Sequence, residues 1–214
     1  MINYEIGDFC MIKNVVFDLG QVLIEWKPRN LLRNFTDNEE DLDLLEIICT
    51  SDEWERLDEG TITKEEVLKN VSRRLPDRLR SICKEFIYHY AEYLVLNDDI
   101  CEIAIKLKEN GYNVFVLSNT DEADYLELQK RYIGKYIDGY LISAQEKILK
   151  PNKEIYLRLF QKFNLKPEEC FFIDDKEENI IGGQKVGMNG HMLDREKYGT
   201  TKLLKDFEKY EIKI

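Results

Sequence analysis

The run Asn14-Val15-Val16-Phe17-Asp18-Leu19-Gly20-Gln21-Val22-Leu23 decides the reading of this chain. Val15, Val16 and Phe17 form a short apolar stretch, two of the three β-branched, which reads as a buried strand. Asp18 ends that strand, and Gly20 opens a turn. Parallel strands in α/β folds present their carboxyl ends to the ligand crevice, so Asp18 is expected at the mouth of a site. A carboxylate there serves as a nucleophile, a metal ligand or both. Many strands end in Asp, and the run gains its weight from three further strand-end signals that follow in order.

Between this strand and those signals the texture is helical. From Pro28 to about Asn97 apolar residues recur at helical spacing: Leu31, Leu32 and Phe35 on one face, then Leu44, Ile47 and Ile48 on another with Leu45 at its margin. Thr63 followed by Glu66 has the form of a capping box, and Gly60 ends the turn before it. Phe86, Tyr90, Tyr93 and Leu94 continue the helical pattern. From Asp98 helices and strands alternate: a helix over 100–109 stopped by Asn110-Gly111, and strands over 113–117, 139–142 and 170–173, with a helix over 152–163 between the last two. Alternation at this spacing predicts a parallel sheet with right-handed crossovers, and the helical block after the first strand predicts a cap over the strand ends. The expected fold class is therefore an α/β core with an inserted all-helical cap. Residues 11–26 and 98–214 form the core, 27–97 the cap and 1–10 an N-terminal extension.

The second signal is Leu117-Ser118-Asn119-Thr120-Asp121, where Ser118 could hold phosphate oxygens or merely cap the next helix. The third is Lys150-Pro151, an ammonium before a helix start that could neutralise a phosphoryl group or sit solvated at the surface. The fourth is Asp174-Asp175 after Phe171-Phe172-Ile173, followed by Asn179. With Asp18 these acids offer hard oxygen ligands suited to Mg²⁺; alone they could simply start a helix. Together the four supply attack, oxygen binding, charge neutralisation and metal holding, which are the needs of phosphoryl transfer.

In this order the residues resemble the haloacid dehalogenase superfamily, with its Rossmann-like core, across the chain after Met11. Asp18 to Leu23 looks like its first motif, Ser118 its second, Lys150 its third and Asp174-Asp175 its fourth. The helical block resembles a C1 cap, as in subfamily IA. The wording of Phe17-Asp18-Leu19-Gly20 and Ile173-Asp174-Asp175 with Asn179-Ile180 is similar to the α-glucose-1-phosphate phosphatase branch.

The resemblance implies that Asp18 attacks phosphorus to give an aspartyl-phosphate. It also implies Mg²⁺ held by Asp18, the Gly20 carbonyl, Asp175 directly and Asp174 directly or through water. Ser118 and the Asn119 amide would bind phosphoryl oxygens, and Lys150 would neutralise Asp18 and the transferred group. The implied substrate is a small phosphorylated metabolite, sugar phosphates first. One departure stands out: most phosphatases of the superfamily carry a second Asp, the general acid and base, where this chain has Gly20. Losing such a group costs about 10²–10⁴-fold if nothing replaces it. Glu25, a cap residue, water or the substrate itself are the alternatives. A dehalogenase, which needs no leaving-group proton, and a weakly catalytic binder of a phosphorylated ligand or protein partner are the competing readings. Trp26 and Arg29, at the entry to the cap, are candidates to line the substrate pocket.

Bulk properties narrow the classes. The 214 residues suffice for one full domain with an insertion, and the net charge of −11 argues against general affinity for nucleic acid or anionic membrane. No run approaches the roughly 20 apolar residues of a membrane span. Met1 to Cys10 has neither the basic start nor the apolar core of a secretion signal. Cys10, Cys49, Cys83, Cys101 and Cys170 form no C-x-x-C pair and read as reduced thiols of a cytoplasmic protein. His89 is expected to pack on a cap helix, and the segment from Lys202 to Ile214 to form an amphipathic helix on the core.

Overall fold

Strand β1 (Asn14–Phe17) is buried along its whole length, as its apolar composition requires. The computed structural model describes residues 11–214; the expected extension, residues 1–10 with Cys10, lies outside the described residues. Two short strands, β2 (Ile24–Glu25) and β3 (Val95–Leu96), follow β1 and pair antiparallel. Then come β4 (Asn113–Ser118), β5 (Gly139–Ile142), β6 (Cys170–Asp174) and β7 (Asn189–Met192). The main sheet has the order β5-β4-β1-β6-β7 and every pairing in it is parallel.

Side chains alternate between its two faces. Val15, Phe17, Val116 and Ile173 enter one apolar cluster, while Val16, Phe115, Leu117 and Phe172 enter the other. A parallel sheet buried on both sides is what near-continuous hydrophobic strands demand.

Between β2 and β3 lie α1 (Pro28–Leu32), α2 (Glu39–Leu45), α3 (Ile47–Thr50), α4 (Asp52–Asp58), α5 (Lys64–Val71) and α6 (Arg80–His89). Thr63 and Glu66 form the expected capping box at the start of α5. Trp54, Phe86 and Tyr90 pack edge to face or stacked within this block, with Trp54 and Tyr90 ring centres 5.1 Å apart. Such a pair contributes about 0.5–1.5 kcal/mol beyond area burial. At the neck, Asn97 donates from its backbone to the Leu23 carbonyl at 2.9 Å and from its side chain to Val22 at 2.8 Å.

The remaining helices are α7 (Asp98–Glu109), α8 (Glu122–Lys130), α9 (Ser143–Glu146), α10 (Lys153–Phe163), α11 (Glu177–Gln184), α12 (Arg195–Tyr198) and α13 (Thr201–Lys209). The last is the expected amphipathic helix, burying Leu203 and Phe207.

Three expectations are corrected. The helix around residue 45 breaks at Glu46, and the buried face runs through Leu42, Leu45 and Ile48 while Leu44 is exposed. His89 does not pack: Cys83, Phe86, Ile87 and Tyr90 take the inward phase, and His89 is exposed beside Glu92, Nδ1 to Oε1 2.8 Å. Arg29 pairs with Glu39, Asp43 and Glu46 within 2.9 Å on the outer side of the helical block and lines no cavity at the strand ends.

Gly60 is where the helical block meets the sheet edge. It has φ +74°, and a Cβ there would lie 2.1 Å from the Ala144 carbonyl oxygen. Gly60→Ala is therefore expected to cost about 1–3 kcal/mol from strained backbone alone. An unchanged thermal midpoint would show that the contact does not hold the two parts together.

Cys49, Cys83, Cys101 and Cys170 are free, and burial pushes the Cys83 thiol up to about 11 and those of Cys101 and Cys170 up to about 12. Among the described residues no helix is long and apolar enough to cross a membrane.

Candidate active site

Because the sheet is parallel, the ends of β1, β4 and β6 emerge at one edge. Phe17 pairs with Val116 on one side and Ile173 on the other, so Asp18 emerges level with Asp174. The Asp18 N–H is fixed by the Ile173 carbonyl at 2.9 Å. Lys150 arrives from the loop before α10 and is buried between these strand ends. Its Nζ lies 2.9 Å from Asp18 Oδ1 and 2.6 Å from Asp174 Oδ2, and it donates to the Leu117 carbonyl at 3.0 Å. The solvated-surface reading of Lys150 is thereby excluded.

Asn119 explains how that lysine is held. Its Oδ1 accepts the Lys150 N–H at 2.8 Å while its Nδ2 donates to the Lys150 carbonyl at 3.0 Å. The Lys150–Pro151 peptide is cis. Asp174 is fully buried and accepts three hydrogen bonds: Oδ1 from the Lys176 N–H and from Asn179 Nδ2, each at 2.9 Å, and Oδ2 from Lys150. Asp175 instead lines the open cavity with Asp18, Gly20 and Ser118.

Oxygens of Asp18, Asp174 and Asp175 lie within 4.8 Å of one another. Burial, then the neighbouring charges of Asp18 and Asp174, push the Asp175 carboxyl up to about 6. Asp18 is raised by burial and by Asp174 against the pull of Lys150, with the Ser118 hydroxyl also lowering it. For Lys150 burial acts downward, but Asp174 and Asp18 more than offset it and the ammonium is held above its ordinary range. Three crowded carboxylates face one ammonium, an arrangement that a hard dication completes.

The cavity measures about 600 Å³ and reaches from Asp18 past Trp26 to the helical block, where Trp54 and Asp58 contribute to its wall. Gly20 is on this wall, and a Cβ there would meet only Trp26 Cβ, at an ordinary 3.7 Å. The missing side chain is thus not imposed by backbone or space. Glu25 is outside this cavity and pairs with Lys27 at 2.7 Å.

A group of acids missed by the sequence reading stands on the far side. Asp121 caps α8, accepts from Tyr90 Oη at 3.0 Å and pairs with Lys64 at 3.0 Å. Asp124 accepts from Thr120 Oγ1 at 2.7 Å, and its other oxygen is buried without a hydrogen-bond partner. Both acids sit at the start of a core helix, and Asp58 of the helical block lines the same cavity, so only folding brings the three together.

A family model described as haloacid dehalogenase-like hydrolase matches residues 12–187. The chain belongs to this hydrolase family. A sesquiterpene phosphatase of Aspergillus oryzae is 28% identical over 184 residues, covering 85% of this chain and 90% of the relative. A (S)-2-haloacid dehalogenase of Burkholderia cepacia is 31% identical over 123 residues, 57% of this chain and 50% of that enzyme. Among solved structures, a haloacid dehalogenase family enzyme of Bacteroides thetaiotaomicron in complex with magnesium and inorganic phosphate superposes with a TM-score of 0.62. It is 25% identical, over 84% of this chain and 93% of that one.

Proposed function

We propose that this haloacid dehalogenase-like hydrolase is a Mg²⁺-dependent phosphomonoesterase acting on a small phosphorylated metabolite, sugar phosphates first. The observation that carries the reading is the buried Lys150 ammonium set between Asp18 and Asp174, with Asp175 beside them on the cavity wall. Asp18 attacks phosphorus and forms an aspartyl-phosphate, which water then hydrolyses. Lys150 and Ser118 hold the transferred oxygens; the Asn119 side chain is spent on Lys150, so that residue's contribution is its backbone amide. Asp18, Asp175 and the Gly20 carbonyl would hold Mg²⁺, with Asp174, which already accepts three hydrogen bonds, reaching it directly or through water. When bound, the metal draws charge from the phosphoryl oxygens.

In this reading residues 27–97 are a C1 cap over a core of residues 11–26 and 98–214, as in the α-glucose-1-phosphate phosphatase branch. The sesquiterpene phosphatase and the magnesium- and phosphate-bound relative both support phosphoryl chemistry. The free cysteines suit a reducing cytoplasm, and the charge of −11 suits no nucleic-acid partner.

Phosphate release from p-nitrophenyl phosphate and a sugar-phosphate panel, with Mg²⁺ and with EDTA, tests the reading; release that ignores EDTA would sink the metal role. Mg²⁺ should also raise the melting midpoint, by about 2.7 kcal/mol of stability at a hundredfold excess over its dissociation constant. Asp175→Asn should abolish most of that gain.

A 2-haloacid dehalogenase is the second reading, favoured by the similarity to the Burkholderia enzyme and by Gly20, since halide leaves without a proton. Chloride release from 2-chloropropionate that persists in EDTA is its signature.

A further inference from the structure

We propose that Asp58, at the C-terminal end of α4, supplies and then removes the proton that the side chain missing at Gly20 would have handled. The inference rests on the phosphomonoesterase reading.

The reaction needs a proton at the leaving oxygen, and Gly20 has none to give. Glu25 is turned to Lys27 outside the cavity. Of the acids on the cavity wall beyond the Asp18 cluster, Asp52, Glu55 and Glu178 are exposed to water. Asp58 and Asp124 are not.

Asp124 sits 94% out of solvent, with one oxygen tied to Thr120 and the other without a partner on the wall of this cavity. Asp58 is the less enclosed of the two and is carried over the strand ends by the helical block. Its carbonyl accepts from Ser143 Oγ, which in turn accepts the Thr120 N–H at 2.9 Å. The backbone of Asp58 is thus tied to the same edge that presents Ser118 and Asn119.

Several groups set its proton affinity. Facing Asp58 are Asp121 and Asp124 from the start of α8, Lys176 beyond β6, and Cys49 and Tyr90 from the helical block; Lys64 pairs with Asp121. Burial first, then Asp124 and Asp121, holds the Asp58 carboxyl well above the ordinary range, and burial and Asp121 push Asp124 up to about 7. The carbonyl end of α4 acts in the same direction. An acid that holds its proton more tightly than an ordinary carboxylate is what a general acid requires.

The step balances. An Asp18 oxygen forms its bond to phosphorus as the bond from phosphorus to the leaving oxygen breaks, and the Asp58 proton moves to that oxygen to give an alcohol. The Asp58 carboxylate then takes a proton from water as the water oxygen attacks the aspartyl-phosphate. The bond from phosphorus to Asp18 breaks, releasing phosphate and restoring both acids. Asp124 acts through Asp58, as a positioning residue.

The test compares leaving groups on the Mg²⁺-loaded protein. p-Nitrophenolate departs without a proton, whereas the alkoxide of glucose 6-phosphate needs one. In the first step, read as single-turnover release of the alcohol, Asp58→Asn should slow glucose 6-phosphate by about 10²–10⁴-fold and p-nitrophenyl phosphate by less than about tenfold, while the later hydrolysis of the aspartyl-phosphate slows alike for both. The alkaline limb of the glucose 6-phosphate pH profile should vanish with it. Asp124→Asn should keep that limb but move it down by roughly one pH unit, because a neighbouring negative charge is gone. Asp58→Glu should recover part of the activity. Equal losses on both substrates in that first step would make Asp58 structural and overturn the proposal. So would an unchanged Asp58→Asn enzyme, or a wild type that cleaves p-nitrophenyl phosphate but no alkyl phosphate. Wild-type protein that releases no phosphate from any of them would instead overturn the phosphomonoesterase reading itself.

Discussion

Asp18→Asn protein is expected to release no measurable phosphate from p-nitrophenyl phosphate or any sugar phosphate, a loss on the order of 10⁶-fold, the scale of removing a covalent nucleophile. An amide nitrogen or oxygen at this position cannot form the aspartyl-phosphate, and no neighbouring carboxylate can replace it. Asp174 is fully buried and tied to Lys150, Lys176 and Asn179, and both it and Asp175 stand at the end of a different strand. The variant should fold, since the substitution removes one of three crowded negative charges while Lys150 keeps its contact with Asp174. A melting curve equal to or above that of the wild type, together with Mg²⁺-dependent burst labelling of the wild type only, checks both halves. Residual turnover above about 10⁻³ of wild type would point to direct attack by water and remove Asp18 from the nucleophile's place.

The parts of this site that were legible in the sequence are those that depend on strand direction alone. An apolar run followed by a polar residue marks a strand end, and parallel pairing then sends Asp18, Ser118 and Asp174 to one edge without further information. Lys150 was found by its place before a helix, although nothing local says that it is buried between two carboxylates. What escaped depends on packing between distant segments. Asp58 lies on a seven-residue helix that also carries Asp52, Glu53 and Glu55, and it meets Asp121 and Asp124 only when that helix docks on the sheet edge through Gly60 and Ser143. The strands β2 and β3 have two residues each, too few for any alternation to register. The misread face at Leu44 has a similar origin, because the break at Glu46 resets the helical phase that an uninterrupted pattern assumes. The resemblance implies phosphoryl binding by the Asn119 amide, and only the fold shows that its side chain braces Lys150.

Lys150→Met is expected to cost about 3–5 kcal/mol of stability, the scale of breaking one side of a buried ion pair. Methionine fills the space of the lysine stem and keeps contact with Phe172, whose ring centre the ammonium now faces at 5.3 Å. The charge is lost, leaving Asp18 and fully buried Asp174 with no cation between them. Both carboxylates must then either stay charged out of water or take up a proton, and the second is the smaller cost. The sign of the pH dependence follows. Asp18 is already raised in the folded protein, by burial first, and the substitution removes the group that opposed the rise. An acid whose folded value lies above its unfolded one penalises the fold fully at pH above the folded value, and the penalty disappears below the unfolded value. The variant in EDTA should therefore be weakest at neutral and alkaline pH and regain stability as pH falls toward the ordinary carboxylate range. Adding Mg²⁺ at neutral pH should return part of the loss, because a dication among Asp18, Asp174 and Asp175 replaces the missing charge. Activity should not return with stability: without the ammonium to balance the transferred group, kcat should stay about 10²–10³-fold down. Urea midpoints that are unchanged, or that fall as the pH is lowered, would mean that Lys150 does not hold these carboxylates, and the charge arrangement on which the site is built would fail with it.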